Sequence, residues 1–248
     1  MKKLPYLAFI LLITTLAVNA QDTTKNRMWG GRNVAGAAQI QVMYRQSDLS
    51  QLNTALNKNG IASLNQNSVW LNLSMNHIYK KFMFEDGFGA TFPSNVNSSA
   101  LETTYNQYQL FFRGAYNVSK NANFRLFPFV GINSSVAVLT IKDKAREQSV
   151  SDFTQQLLNS TSSKTLYQSN FGVELGGGFD YLIKLKTKQM DCVQIQRNIP
   201  IGVRMGYYLN ATANDWKLND YTLTNGAGNK QSAVFVTLNI GLGYVIKR

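Results

Sequence analysis

The sixteen residues Ser169–Lys184 read SNFGVELGGGFDYLIK, and their alternation decides the fold. Phe171, Val173, Leu175, Gly177, Phe179, Tyr181 and Ile183 fall on one side of an extended chain, in which successive side chains point to opposite faces. The other side carries Asn170, Gly172, Glu174, Gly176, Gly178, Asp180 and Lys184, with Leu182 the exception. One face is aliphatic and aromatic, and the other is glycine, amide and charge.

The same rule recurs outward from this stretch. Near the end of the chain Val234, Val236, Leu238, Ile240, Leu242, Tyr244 and Ile246 oppose Thr237, Asn239, Gly241 and Gly243, with Phe235 and Val245 as bulky residues on the polar side. In Tyr105–Asn117 the apolar set Tyr108, Leu110, Phe112 and Tyr116 faces Gln107, Gln109 and Arg113. Ile199–Asn210 sets Ile201, Val203, Met205 and Tyr207 against Gly202, Arg204 and Gly206. Weaker alternation marks Val34–Arg45, Val69–Tyr79, Phe82–Phe92, where Asp86 breaks the pattern, and Phe124–Ile141. These eight segments predict an all-β protein, since only one stretch shows the period of a helix. That stretch is Ser47–Lys58, where Leu49, Leu52 and Leu56 recur after Ser47 or Asp48 as N-cap and before Gly60. It predicts a short surface or plug helix in the first long loop.

The connections alternate in length. Short ones, Lys80 with Lys81, Val118–Asn123 and Lys186–Asn198, follow strands two, four and six. Long ones, Gln46–Ser68, Pro93–Thr104, Lys142–Gln168 and Ala211–Gln231, follow the odd-numbered strands. This is the pattern of a closed antiparallel up-and-down transmembrane β-barrel of about eight strands, with periplasmic turns, extracellular loops and both termini in the periplasm. Backbone groups in lipid must all be paired, which only closure achieves for strands. A soluble barrel also alternates but turns its apolar face inward. Here the glycine-rich face mixes Glu85, Arg113, Glu174, Asp180 and Arg204, which suits a hydrogen-bonded lumen in which the arginines pair with the acids. Asn239→Arg is expected to cost less than Leu238→Arg, provided Gly241 and Gly243 leave room for the longer side chain.

The first twenty residues fit an export signal: Lys2 and Lys3, an apolar run from Leu4 to Val18, and the small-residue site Val18, Asn19, Ala20. The organisation expected is a signal peptide over 1–20, an extension over 21–33 and one barrel domain over 34–248. Removal of Lys2 and Lys3 lowers the formal charge from +12 to +10. Many of the remaining bases lie in connecting segments, as in Lys80 with Lys81, Lys142 to Arg146 and Lys184 to Lys188, so a rim facing anionic headgroups is expected, with no nucleic-acid partner. Cys192 is the single cysteine and forbids an intramolecular disulfide; His77 is the single histidine. The lone His77 argues against a metal site or a Ser-His-Asp hydrolase, and no metal or other cofactor is expected.

The strand LGGGFDYL (Leu175–Leu182), the motif IPIGVRMGYY (Ile199–Tyr208) and the ending LNIGLGYVIK (Leu238–Lys247) resemble the small outer-membrane β-barrel proteins of Bacteroidota, in the broad OmpA-barrel or OmpX-like superfamily. The resemblance implies residence in the bacterial outer membrane, lipid as a partner, and insertion by the β-barrel assembly machinery. The function expected is non-enzymatic: a structural or surface-interaction barrel whose long loops meet an extracellular ligand of unknown identity. A narrow, porin-like pore or ligand-binding barrel is the alternative, and a lipid-modifying enzyme a more remote one. His77 falls with the lipid-facing residues near the periplasmic end of strand two.

Overall fold

A computed structural model describes residues 34–144, 163–190, 193–224, 226–227 and 232–247. The expected leader and N-terminal extension, Cys192, and much of the third long loop lie outside them. Eight long strands form the barrel: β1 (Val34–Ser47), β2 (Asn67–Tyr79), β3 (Phe82–Thr91), β4 (Leu101–Tyr116), β5 (Phe124–Asp143), β6 (Ser163–Lys184), β7 (Val193–Ala213) and β8 (Ala233–Lys247). Each pairs antiparallel with its neighbour in sequence, and β8 returns to pair with β1. The sheet is closed, so neither edge is left unpaired.

The register sets the shape. Following paired residues around the barrel from Gly36 leads through His77, Phe84, Gly114, Val130, Leu175, Tyr207 and Val234 to Gln46, ten residues further along β1. That stagger over eight strands tilts each by about 40° and gives a backbone radius of about 8 Å, a width that side chains alone fill. Crowding inside is relieved by glycine. A Cβ on Gly176 would lie 2.6 Å from Cζ of Phe129, and one on Gly202 would collide with the Asp180 carboxylate.

Strand lengths exceed what the apolar alternation marks. β4 starts at Leu101, β6 at Ser163 and β7 at Val193, because polar residues continue the ladders beyond the apolar set. The third short connection is correspondingly tighter than expected: the Leu185 N–H bonds Arg197 O, and a short strand, Lys188–Met190, pairs with Val193–Ile195. At the opposite end Pro93, which lacks an N–H, separates β3 from the short strand Ser94–Asn97 on β4. The first turn is Lys80 with Lys81, where Lys80 takes φ 56°. The second is held by side chains, as Asn117 Oδ1 accepts from the N–H groups of Ser119 and Leu126.

Outward-facing side chains are apolar over a band with an aromatic ring at each margin. Tyr79, Phe82, Tyr116, Phe124, Tyr181 and Tyr244 mark the turn end; Tyr44, Phe92, Tyr108, Phe171 and Tyr207 mark the loop end. Ten residues separate Phe82 from Phe92, and ten separate Phe171 from Tyr181. At the tilt above the rings stand about 25 Å apart.

The helix α1 (Ser50–Lys58) forms in the first long loop. Its N-cap is Leu49, one or two residues later than the sequence suggests, because Ser47 still belongs to β1 and pairs with Ala233. Asp48 Oδ1 accepts the Ser50 N–H at 3.0 Å, and the hydrogen bonds from Ser50 hold that carboxyl below the usual carboxylate range. At the other end Gly60 takes φ 72°, its N–H bonds Asn57 O, and the Ile61 N–H bonds Leu56 O. This is a Schellman stop, which glycine adopts without strain.

Candidate functional site

The inward side chains stack in the lumen from the loop end to the turn end. At the loop end Leu52 and Leu56 of α1, with Leu49, Ile61 and Leu64, bury against inward-facing Tyr105, Ala137 and Leu139 and against Trp216. The helix is therefore a plug with an apolar underside. Each of its fully buried leucines contributes about 1.5–3 kcal/mol of transfer free energy.

Below the plug the structure brings Glu85, Arg113, Glu174, Asp180 and Arg204 together in a charged network. Each of them is 5% exposed or less. Arg113 Nε donates to Glu174 Oε2 at 2.6 Å, and its NH1 lies 3.4 Å from Glu85 Oε2. Arg204 Nε lies 3.4 Å from the same Glu85 oxygen, while its NH2 donates to Gln39 Oε1 at 2.9 Å and stands 4.0 Å from Asp180 Oδ1. Arg45, which the alternation alone does not single out, also belongs to it: its NH2 is 3.7 Å from Glu174 Oε1. Three arginines thus face three carboxylates.

Amides and a hydroxyl complete the lattice. Gln41 and Ser74 donate to Glu85 Oε1, and Asn133 donates to Glu174 Oε1 at 2.7 Å and to Gln109 Oε1 at 2.9 Å. Gln109 donates onward to Asn72 Oδ1, and Asn239 donates to Asp180 Oδ1 at 3.2 Å. Every one of the eight strands contributes at least one group. Asn239 is hemmed in, so the room that an arginine there would require is missing: the space at Gly241 is filled by Gln39, whose Cγ would lie 2.7 Å from an added Cβ, and that at Gly243 by Asn198.

Aromatic plates cover the guanidinium groups. Arg113 sits 4.2 Å from the centroid of Phe111, with Phe129 and Phe235 at 5.5 and 5.7 Å. Arg45 lies between Tyr208 at 4.5 Å and Trp70 at 5.1 Å. Phe235, which breaks the alternation of β8, is fully buried for this reason. Exclusion of water from around the ion pairs strengthens them, and removal of any single member is correspondingly costly.

Toward the turn end the packing opens into a hollow of about 440 Å³ lined by Ala35, Ile78, Lys80, Met83, Asn117 and Arg125, beside one of about 270 Å³ that shares Asn117 and Arg125. Among the described residues no three His, Cys, Asp or Glu side chains converge as metal ligands. His77 faces outward as expected, and its Nε2 lies 3.2 Å from Asp86 Oδ1.

No family model matches the chain, and no curated protein matches it. Among solved structures it is similar to Neisserial surface protein A, at 12% identity and a TM-score of 0.37, covering 87% of this chain and 97% of that one. It is similar also to Ail, the attachment invasion locus protein of Yersinia pestis, solved with the heparin analogue sucrose octasulfate (12% identity, TM-score 0.36, 86% and 98% covered). A further neighbour is the outer membrane protein OprG from Pseudomonas aeruginosa (11% identity, TM-score 0.31, 87% and 96% covered).

Proposed function

We propose that the protein spans the bacterial outer membrane as a closed, non-conducting and non-enzymatic barrel that holds a plugged loop platform at the cell surface. The observation that carries this reading is the inversion of the barrel. Its charged and amide side chains are buried inside, while Ile40, Leu73, Leu110, Val130, Leu175 and Leu238 stand 43–60% exposed outside. In water such a belt would be an apolar surface far larger than monomeric proteins tolerate; in a bilayer it is the solvated face. The spacing of the aromatic rings matches the hydrocarbon thickness such barrels span. The lumen supports the non-conducting part, because the ion-pair lattice and the α1 plug leave the charged groups paired with one another. An extracellular ligand would therefore meet the loops and α1 rather than enter the barrel.

The test is fractionation of cells expressing the full chain, with unboiled and boiled gels. The expected result is recovery in carbonate-washed outer membranes, a faster-running unboiled band, and labelling of loop residues such as Lys58 by an impermeant amine reagent on intact cells. Recovery in the soluble periplasmic fraction overturns the reading.

A further inference from the structure

Between the two aromatic rings, the outward face of the described residues carries two side chains of the Asp, Glu, Lys, Arg and His classes: His77 on β2 and Asp86 on β3. They touch each other, Nε2 to Oδ1 at 3.2 Å, and remain 62% and 53% exposed. Asp86 sits four residues above Phe82 and six below Phe92, close to mid-belt. Its partners across the ladders are Met75 and Phe112, both outward and apolar. Resting on the membrane reading above, this places an acid and an imidazole against lipid tails, which offer no donor or acceptor. Ionisable groups in that position are costly and ordinarily turn inward or find a partner.

We infer that the face around His77 and Asp86 is the contact surface for a second copy of this chain, forming a two-fold dimer within the membrane. The contact inside one chain uses one imidazole nitrogen and one carboxylate oxygen. Left over are the second nitrogen, a donor when the first accepts or when the ring is charged, and the second oxygen, an acceptor. A two-fold axis along the bilayer normal brings the same pair of another copy to the same depth, so each chain supplies what the other lacks. The patch is self-complementary, as an isologous interface requires. Its shape agrees. Gly114, directly across from Phe84, is open on its outward side, where an added Cβ would meet nothing nearer than Val130 O at 4.0 Å. Phe84, Phe112 and Tyr116 flank this opening.

The test uses the full chain on a Cys192→Ser background, reconstituted in phospholipid vesicles and cross-linked by a short bis-maleimide at single cysteines. Phe84→Cys lies on the proposed face, and Val203→Cys lies on β7, across the barrel. The expected result is a cross-linked dimer from position 84 and none from position 203. Adding Asp86→Leu should cut the dimer yield at least about tenfold while the unboiled gel band still shows a folded barrel. If Asp86→Leu does not fold, His77→Phe replaces it with the same expectation. A folded, membrane-resident protein that stays monomeric overturns the dimer and leaves the membrane reading standing. Dimer yield indifferent to both substitutions, or cross-linking in cell membranes to a different protein, also overturns it. Recovery in the soluble fraction removes both.

Discussion

Replacing Glu174 by leucine tests whether the lumen lattice is one cooperative unit. Glu174 is fully buried, accepts from Arg113 Nε at 2.6 Å and from Asn133 at 2.7 Å, and stands 3.7 Å from Arg45. Leucine in its place leaves two buried guanidinium groups facing one fewer carboxylate, and removal of one partner from a buried ion pair costs about 3–5 kcal/mol. Arg113→Met in the same chain removes the more closely paired of the two guanidinium groups that lose Glu174 and leaves Glu85 to Arg204, while Arg45 stays without its carboxylate. It also turns the Phe111, Phe129 and Phe235 pocket fully apolar. The double variant is expected to recover about 1.5 kcal/mol or more of the loss. The assay is urea unfolding in phospholipid vesicles, read by the gel shift of unboiled samples. A loss below about 1 kcal/mol for Glu174→Leu, or a double variant whose cost equals the sum of the two singles, would refute the reasoning.

Leu238→Arg, an outward substitution in mid-belt, should cost about 2–4 kcal/mol of stability in lipid. Asn239→Arg should be no milder, since it loses the bond to Asp180 and finds the spaces at Gly241 and Gly243 occupied; unfolding titrations of both variants decide this. Planar-bilayer recordings of the wild-type protein should show no stable open level, and a large steady conductance would contradict a filled lumen. For Asp48 the folded carboxyl titrates lower than the unfolded one. Its contribution to the start of α1 is therefore present above the unfolded value, about 3.9, and is lost as pH falls through the folded one. The protection factor of the Ser50 amide against hydrogen exchange should fall on acidification and lose that pH dependence in Asp48→Asn; identical profiles would contradict it.

The strands were legible because lipid-facing and lumen-facing residues must alternate, a constraint that leaves its mark on every segment long enough to cross the belt. Their ends were not, since beyond the belt polar residues such as Gln194 and Gln196 keep pairing without any apolar signal. The five charged lumen residues could be placed by parity alone. Arg45 has the same parity but sits at the end of the β1 pattern, where only the inward geometry of Trp70 and Tyr208 shows that it is sandwiched. Phe235 and Leu182 broke the alternation as apolar residues on the polar side. Phe235 is explained by the need to cover a guanidinium from one face, a tertiary requirement with no local period. Asp86 broke it in the other sense, and the structure gives it His77 as a neighbour on the adjacent strand β2.

Whether the apolar face meets lipid and the polar face fills the lumen can be read from spectroscopic probes at two adjacent positions of β8. Leu238 is 60% exposed and Asn239 4%. Leu238→Cys and Asn239→Cys, each on a Cys192→Ser background and carrying the same small fluorophore, are reconstituted in vesicles containing a brominated phospholipid. Strong quenching is expected at 238 and little at 239; equal quenching at both positions, or stronger quenching at 239, would mean that the two faces are assigned wrongly.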